Sequence, residues 1–492
     1  MTQPYTTVIG LEVHVQLATG SKLFCGCATK FGAPPNTQTC PICVGMPGTL
    51  PVMNRTAFEL SLQTAVALNC EIAPFTKWDR KQYYYPDLPK GYQISQYDLP
   101  FSHDGWLEIS DPKGKIEPKR IGIIRAHLEE DAGKSMHDEV KGEGDSRIDL
   151  NRAGTPLLEI VSQPDMRSPA EAKAYLTELK LLLTYLGVSD CNMQEGSLRV
   201  DANVNLHIPG SDGKTIATPI VEIKNMNSFR AVERALAYEA ERQWGEWQEA
   251  GRKLGDPGVF KRTFGWDDVK NHTYVQREKE ESADYRYFPD PDLVPVTVSA
   301  ERLNAVRQQM GELPAAMRTR LEMTYGITPY DSDVIVNQGR ALVDYYVAVA
   351  DGCGDGKLAS NWIQQDVLRI LKEQEKTIEA FPIQPPALID LLKKVKAGDV
   401  DTSRGREVLA EMVSSGRSAD EVMKSLGIVK IDESALIDLC REIVAANPKL
   451  VADVKAGKMQ AAGAFVGAAK KKNPNVNPGR VREICLELIE KM

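Results

Sequence analysis

The stretch Thr7-Val-Ile-Gly-Leu-Glu-Val-His-Val-Gln-Leu17 alternates. Val13, Val15 and Leu17 fall on one side, and Glu12, His14 and Gln16 on the other. A β-strand has a side-chain period of two, so this pattern predicts a strand with one core face and one polar face. Arg199 to Leu206 repeats it, with Val200, Ala202, Val204 and Leu206 set against Arg199, Asp201, Asn203 and Asn205. The turn Pro209-Gly-Ser-Asp-Gly213 and the run Ile220 to Lys224 then read as the rest of a hairpin. The polar faces carry too much charge for a core. They are either solvated or the lining of a site.

Helical signals enter between these strands. Ser168, Pro169 and Glu171 form an N-terminal signature of cap, first-turn proline and capping box. Tyr175, Leu176, Leu179, Leu182, Leu183 and Leu186 then form an apolar stripe ended by Gly187. A second helix is expected from Ser228 to Trp247. Beyond about residue 295 strand signals vanish and helical periodicity takes over. Asp432 is placed to cap a helix with Leu436, Leu439, Cys440 and Ile443 inward. Pro382, Pro385 and Pro386 read as a helix-breaking link, and Gly405 and Gly416 as punctuation between short helices. The fold class is therefore α+β. A strand-rich part, 1–295, with a cysteine loop at 25–43, is followed by a helical connector, 296–410, and a small helical tail, 411–492.

Composition excludes several classes. The 492 residues are 42% hydrophobic and 26% charged, as in ordinary globular chains. Sixty Lys+Arg against 68 Asp+Glu give a net charge of −8, so a nucleic-acid partner requires a local basic surface. Residues 451–492 supply one, with eight Lys/Arg against four Asp/Glu. Lys470, Lys471 and Lys472 stand together before Asn473-Pro474, where a helix should break. A solvated lysine run is the plainer account of them. No apolar run approaches the ~18 residues of a membrane span, and Met1 to Gly10 predicts no secretory signal.

Nine cysteines, four of them near the N-terminus, argue for a reducing compartment and a metal site over a disulfide framework. Cys25-x-Cys27 and Cys40-Pro-x-Cys43 can wrap a structural Zn²⁺ with four thiolates; the other account is a chance clustering of small side chains. Glu12 and His14, with Glu129, Glu130 and Glu159, suit a hard cation such as Mg²⁺ or Mn²⁺, although acidic side chains on strands are more often simply solvated. Gly210 to Thr215 is not a phosphate-binding P-loop, because Ile208 stands where its first glycine is required. There is no nucleophile elbow. The aromatic-basic segments Asp79–Pro86, Gly91–Tyr97 and Asp284–Phe288 can stack on bases and hold phosphates, or be packed β-surface.

Eight motifs then occur in order: Val8–Val15, Asp79–Asp87, Tyr92–Gln96, His127–Lys134, Asp149–Glu159, Glu195–Asn203, Lys224–Ser228 and Asp284–Pro289. Through them the whole chain resembles the B-subunit family of tRNA-dependent amidotransferases (the GatB family). The resemblance implies a mostly antiparallel cradle similar to the glutamine synthetase catalytic fold. It implies that ATP and Mg²⁺ are used to phosphorylate the side-chain carboxylate of Glu-tRNA(Gln) or Asp-tRNA(Asn). Ammonia would come from a separate amidase, the A subunit. A small C subunit would complete a cytoplasmic heterotrimer for protein biosynthesis. The C-terminal helices would grip the tRNA. Motif by motif, Glu12, His14, Glu130 and Glu159 are expected at Mg²⁺. Arg199, Asp201 and Lys224 are expected to handle phosphate or carboxylate. Tyr84, Tyr92, Ser95 and Lys470–Lys472 are expected to contact substrate or tRNA. The four cysteines Cys25, Cys27, Cys40 and Cys43 are not constant in the family, so zinc rests on this sequence itself. Two other classes compete: a non-catalytic tRNA-binding scaffold that docks an amidase, and a stand-alone amide ligase.

Overall fold

A computed structural model describes residues 4–137, 146–210, 212–278, 285–429, 431–456 and 458–492. Asp284 of the last motif and Ser211 of the predicted turn lie outside these residues. The chain divides into two compact units, Met1–Ala316 and Met317–Met492.

The first unit is built on a ten-stranded sheet. Its strands run, from one edge, His272–Glu278, Arg262–Asp267, Val221–Lys224, Leu198–Pro209, Thr6–Gln16, Pro156–Ser162, Lys119–Glu130, Ser102–Ile109 and Glu71–Ile72. Thr215–Ala217 pairs with Leu198–Pro209 off this path. The pairing is antiparallel except between Val221–Lys224 and Arg262–Asp267. The alternating stretch at the N-terminus is thus a central strand. Val13, Val15 and Leu17 are buried in one core with Leu176, Leu179, Leu183, Ala231 and Val232 of the two long helices. Each such buried aliphatic side chain contributes about 1.5–3 kcal/mol. Those helices, Pro169–Tyr185 and Phe229–Ala250, start at Ser168 and Ser228, whose side chains accept from Glu171 N and Ala231 N. They cover the apolar face, leaving Glu12 and His14 on the other.

Four local expectations change. Glu171 does not close a capping box: its Oε2 accepts from Arg167 N at 2.9 Å, one residue outside the cap, and pairs with Lys119. The turn after Pro209 leads into Thr215–Ala217, and Val221–Lys224 pairs further along the same strand. Pro385 and Pro386 open the helix Pro385–Lys396 instead of breaking one, because the first turn needs no backbone donor. Gly405 lies inside the helix Thr402–Ser415, where a Cβ would stand 3.0 Å from the Trp362 ring, so it serves close packing. Gly416 does end that helix, at φ 71°.

Val296–Thr297 pairs with Phe75–Thr76, and position 411 falls within the helix Thr402–Ser415. Among the described residues of Met317–Met492 every regular element is helical. Helices Glu433–Ala446, Pro448–Lys455, Ala462–Lys472 and Pro478–Glu490 share a core that includes Leu436, Cys440, Ile443, Phe465, Val481 and Ile484. Asp432 caps the first of them. Among the described residues no helix is long and apolar enough to cross a membrane.

Candidate active site on the polar face of the sheet

Register decides which polar side chains meet. His14 lies opposite Arg199 on one side and Glu159 on the other, and Glu159 lies opposite His127. Arg199, His14, Glu159 and His127 therefore form one row across four strands. Two residues along, on the same face, Glu12 lies opposite Asp201. Asn203 is paired with Glu222 on the next strand.

Two clusters result. Ligand atoms of His14, Glu129 and Glu159 all lie within 4.8 Å of one another, as do those of Glu12, Asp201 and Glu222. In the first, His14 Nε2 is 3.4 Å from Glu159 Oε2. Ser95 Oγ donates to Glu129 Oε2 at 3.0 Å. In the second, Asn203 Nδ2 donates to Glu12 Oε1 at 3.0 Å and Thr263 Oγ1 to Glu222 Oε2 at 3.0 Å. Lys224 pairs with Asp201, and Lys261 Nζ is 3.2 Å from Glu222 Oε1. Both clusters line one open groove with about 1780 Å³ of empty space, together with Lys81, Tyr83, Arg125, Asp131, Arg199 and Tyr285.

The electrostatics keep the Glu159 carboxylate and the Lys81 ammonium charged. Burial pushes the Glu159 carboxyl up, but His127 and His14 outweigh it and hold it below the usual range. Burial pulls His14 down, and the hydrogen bond to Glu159 with the charges of Glu159, Glu129 and Asp201 brings it above the ordinary value. Lys81 is also pulled down by burial and raised by Glu129 and Glu159, with a net rise, so it stays an ammonium. Its Nζ sits 4.9 Å from the Tyr285 ring centroid, a cation–π contact. Arg199 is anchored by Asp131 at 2.9 Å, and Gln16 donates to the same carboxylate at 2.8 Å.

The predicted residues divide accordingly. Glu12, His14, Glu159, Arg199, Asp201 and Lys224 converge on the groove. Glu130 does not: its Oε1 accepts from Ile94 N at 2.9 Å and pairs with Lys90, while its neighbour Glu129 takes the place beside His14. The physical reason is the pleat, which sends adjacent side chains to opposite faces. Ser95 is buried under Glu129 and offers nothing to a substrate surface. Tyr92 packs under the Arg80 guanidinium, 4.4 Å from its ring centroid, whereas Tyr84 is exposed. In the second unit Lys470 is half-buried, 3.7 Å from Asp401, and Lys472 pairs with Glu442. Glu222, Lys81 and His127 also belong to the site and are not among the predicted residues. Only register and the strand Val221–Lys224 reveal Glu222, whereas His127 is visible in the sequence as the residue two before Glu129.

The cysteine loop holds a third cluster. The sulfurs of Cys25, Cys27, Cys40 and Cys43 lie within 4.8 Å of one another. Cys40 N donates to Cys43 Sγ at 3.1 Å, and the buried Lys22 Nζ is 3.6 Å from it. The hydrogen bond from Cys25, with Cys40 N–H and Lys22, outweighs burial and pulls the Cys43 thiol down. Cys25 and Cys43 of this loop line a shared pocket with Lys90 and Glu130.

Fold and site together define a class: a cradle of mostly antiparallel sheet with paired acidic clusters, followed along the chain by a helical C-terminal region. Residues 7–304 match the family described as "GatB/GatE catalytic domain", and residues 344–489 match "GatB domain". The chain is 60% identical over 99% of its length to the B subunit of the aspartyl/glutamyl-tRNA(Asn/Gln) amidotransferase of Rhodopirellula baltica, covering 98% of that protein. It is 48% identical over 98% of its length to the protein of the same name from Moorella thermoacetica, covering 99% of it. The chain belongs to the GatB family.

Proposed function

We propose that the chain is the B subunit of a glutamine-dependent tRNA amidotransferase, in keeping with the name its curated relatives carry. The supporting observation is the convergence of His14, Glu129 and Glu159 and of Glu12, Asp201 and Glu222 on one groove. The substrate is a tRNA carrying Glu or Asp in place of Gln or Asn. A carboxylate oxygen of that amino acid attacks the γ-phosphorus of ATP, the bond to the β–γ bridging oxygen breaks, and ADP leaves. Ammonia then adds to the acyl-phosphate carbonyl, nitrogen loses a proton, and the carbon–oxygen bond to phosphate breaks. The products are the amide and inorganic phosphate.

Such a reaction asks the protein mainly for positioning and charge. Lys81 and Lys224, both held as ammonium ions, offset charge on phosphoryl oxygens. Arg199, fixed by Asp131, offers its remaining guanidinium edge to a carboxylate, and its Nε is buried without a partner among the described residues. Both acidic clusters fit Mg²⁺, held by Glu129, Glu159 and His14 and by Glu12, Asp201 and Glu222, as hard oxygens with one imidazole. When bound, Mg²⁺ supplies charge neutralisation at the phosphates. Cys25, Cys27, Cys40 and Cys43 would hold Zn²⁺ through four thiolates, and the ion would close the loop as a structural link outside the chemistry.

Ammonia is supplied by the A subunit, an amidase, and a heterotrimer working in the cytoplasm is made up by a small C subunit. In order along the chain we assign the cradle to 1–295, with the connector and tail after it. Because position 411 falls inside the helix Thr402–Ser415, the connector is carried to about residue 429 and the tail starts near residue 430, after the helix Ala419–Ser425 and before the core that begins around Leu436. That tail grips the tRNA, with Lys470–Lys472 as phosphate contacts. The test is Glu159→Gln in the purified complex. ATP-dependent amidation should fall by at least about a hundredfold while glutamine hydrolysis persists. Unchanged amidation would refute the assignment.

A further inference from the structure

His127 takes part in none of the steps above, yet it is the most enclosed ring at the site. It is 3% exposed and lies directly opposite Glu159 across the ladder. Its Nε2 stands 3.5 Å from Glu129 Oε2 and 3.7 Å from Glu159 Oε2. Its Nδ1 is buried and has no hydrogen-bond partner among the described residues. Acceptors stand only at Nε2, so any N–H that this ring donates usefully is the one on Nε2.

The same two oxygens are held from other sides. Glu129 Oε2 also accepts from Ser95 Oγ, and Glu159 Oε2 also faces His14 Nε2. Among the described residues no hydrogen bond reaches Oε1 of either carboxylate. Each carboxylate is therefore tied at one oxygen and open at the other. A histidine serving only the packing of a core would be expected to satisfy both nitrogens, because an unpaired buried nitrogen is costly.

We infer that His127 is a positioning residue: its Nε2–H holds the Oε2 atoms of Glu129 and Glu159 and turns their Oε1 atoms toward a divalent cation. This rests on the metal reading above. Neighbours that orient metal-ligating groups commonly change affinity by 10–100-fold. Length decides which substitutions preserve the effect. The amide nitrogen of glutamine reaches about as far as Nε2, whereas that of asparagine stops near Nδ1.

The experiment titrates Mn²⁺ alone into the purified complex and reads free Mn²⁺ by electron paramagnetic resonance. Wild type, Glu159→Gln, His127→Phe, His127→Gln and His127→Asn are compared, with thermal melts to confirm folding. The expected result is a Kd raised about 10–100-fold by His127→Phe and by His127→Asn, with His127→Gln within about threefold of wild type. Equal binding by folded His127→Phe and wild type would overturn the inference while leaving the metal site standing. If the Phe variant does not fold, equal binding by the Asn and Gln variants overturns it. Binding that is the same in wild type and Glu159→Gln would instead remove the metal reading, and the inference with it.

Discussion

Glu129 and Glu130 are adjacent in the strand Lys119–Glu130 and turn their carboxylates to opposite sides of it. Glu129 meets Ser95 and His127 on the groove side. Glu130 meets Lys90 and the Ile94 N–H on the side of the cysteine loop. Two identical residues in sequence thus have different work, and single substitutions separate them.

Glu129→Gln is expected to cut ATP-dependent amidation by about a hundredfold or more with little change in melting temperature. Glu130→Gln leaves the buried Lys90 ammonium without its carboxylate, so it should destabilise the first unit by about 3–5 kcal/mol. Its Mn²⁺ affinity should stay within a few-fold of wild type. Denaturant melts and Mn²⁺ titration of both variants check the split. The reverse pattern would return the ligand role to Glu130.

The strand, its two faces and the helix at 169–185 were legible because alternation and caps are local signals. The choice between Glu129 and Glu130 was not, because the strand is buried from Ala126 through Glu130 and hydrophobic alternation disappears there. Glu222 and Lys81 reach the groove through pairings and turns far from Glu12 and His14 in sequence, and no spacing announces them. Pro385 and Pro386 misled for another reason. The same residue that ends a helix also suits its first turn, and only the following Leu388, Leu391 and Leu392 decide which applies.

Removal of zinc should loosen the loop between Cys25 and Cys43. The purified chain is expected to carry about one zinc, and Cys43→Ser or a strong chelator should lower its melting temperature. Elemental analysis and calorimetry test this. A zinc-free protein with four freely titrating thiols and an unchanged melt would refute it.

Acid stability should depend on Glu246, which joins the helix Phe229–Ala250 to the strand Arg262–Asp267 through Arg262 at 2.8 Å and pairs with Arg242 one turn earlier in its own helix, also at 2.8 Å. Burial raises this carboxyl, but the hydrogen bonds to Arg262 and Arg242 outweigh it and hold it below its ordinary 4.5. A depressed carboxyl stabilises the fold above the unfolded value and loses that contribution as pH falls through the folded one. Glu246→Gln should therefore cost at most about 1 kcal/mol at pH 7, with the difference from wild type shrinking below about pH 4.5. Urea melts at pH 7 and in the acid range measure it. A difference that grows on acidification would contradict the sign.

Salt dependence tests the tail. Lys470 and Lys472 have carboxylates nearby in the same unit, while Lys471 is exposed with no ion pair among the described residues. Replacing all three by alanine should lower the slope of log K for tRNA against log salt by about 1–3 units, and Lys471→Ala alone should account for about one. Filter binding across salt concentrations measures both. An unchanged slope would make the lysines a solvated surface.

The most direct test of the chemistry follows one oxygen atom. The complex is given ATP, glutamine and misacylated tRNA whose side-chain carboxylate carries ¹⁸O in both oxygens. Phosphorylation of that carboxylate, followed by attack of ammonia on carbon, predicts one ¹⁸O in the inorganic phosphate for each amide formed. Amide formation with no label in the phosphate would contradict an acyl-phosphate intermediate, and with it the role given to the groove around His14, Glu129 and Glu159.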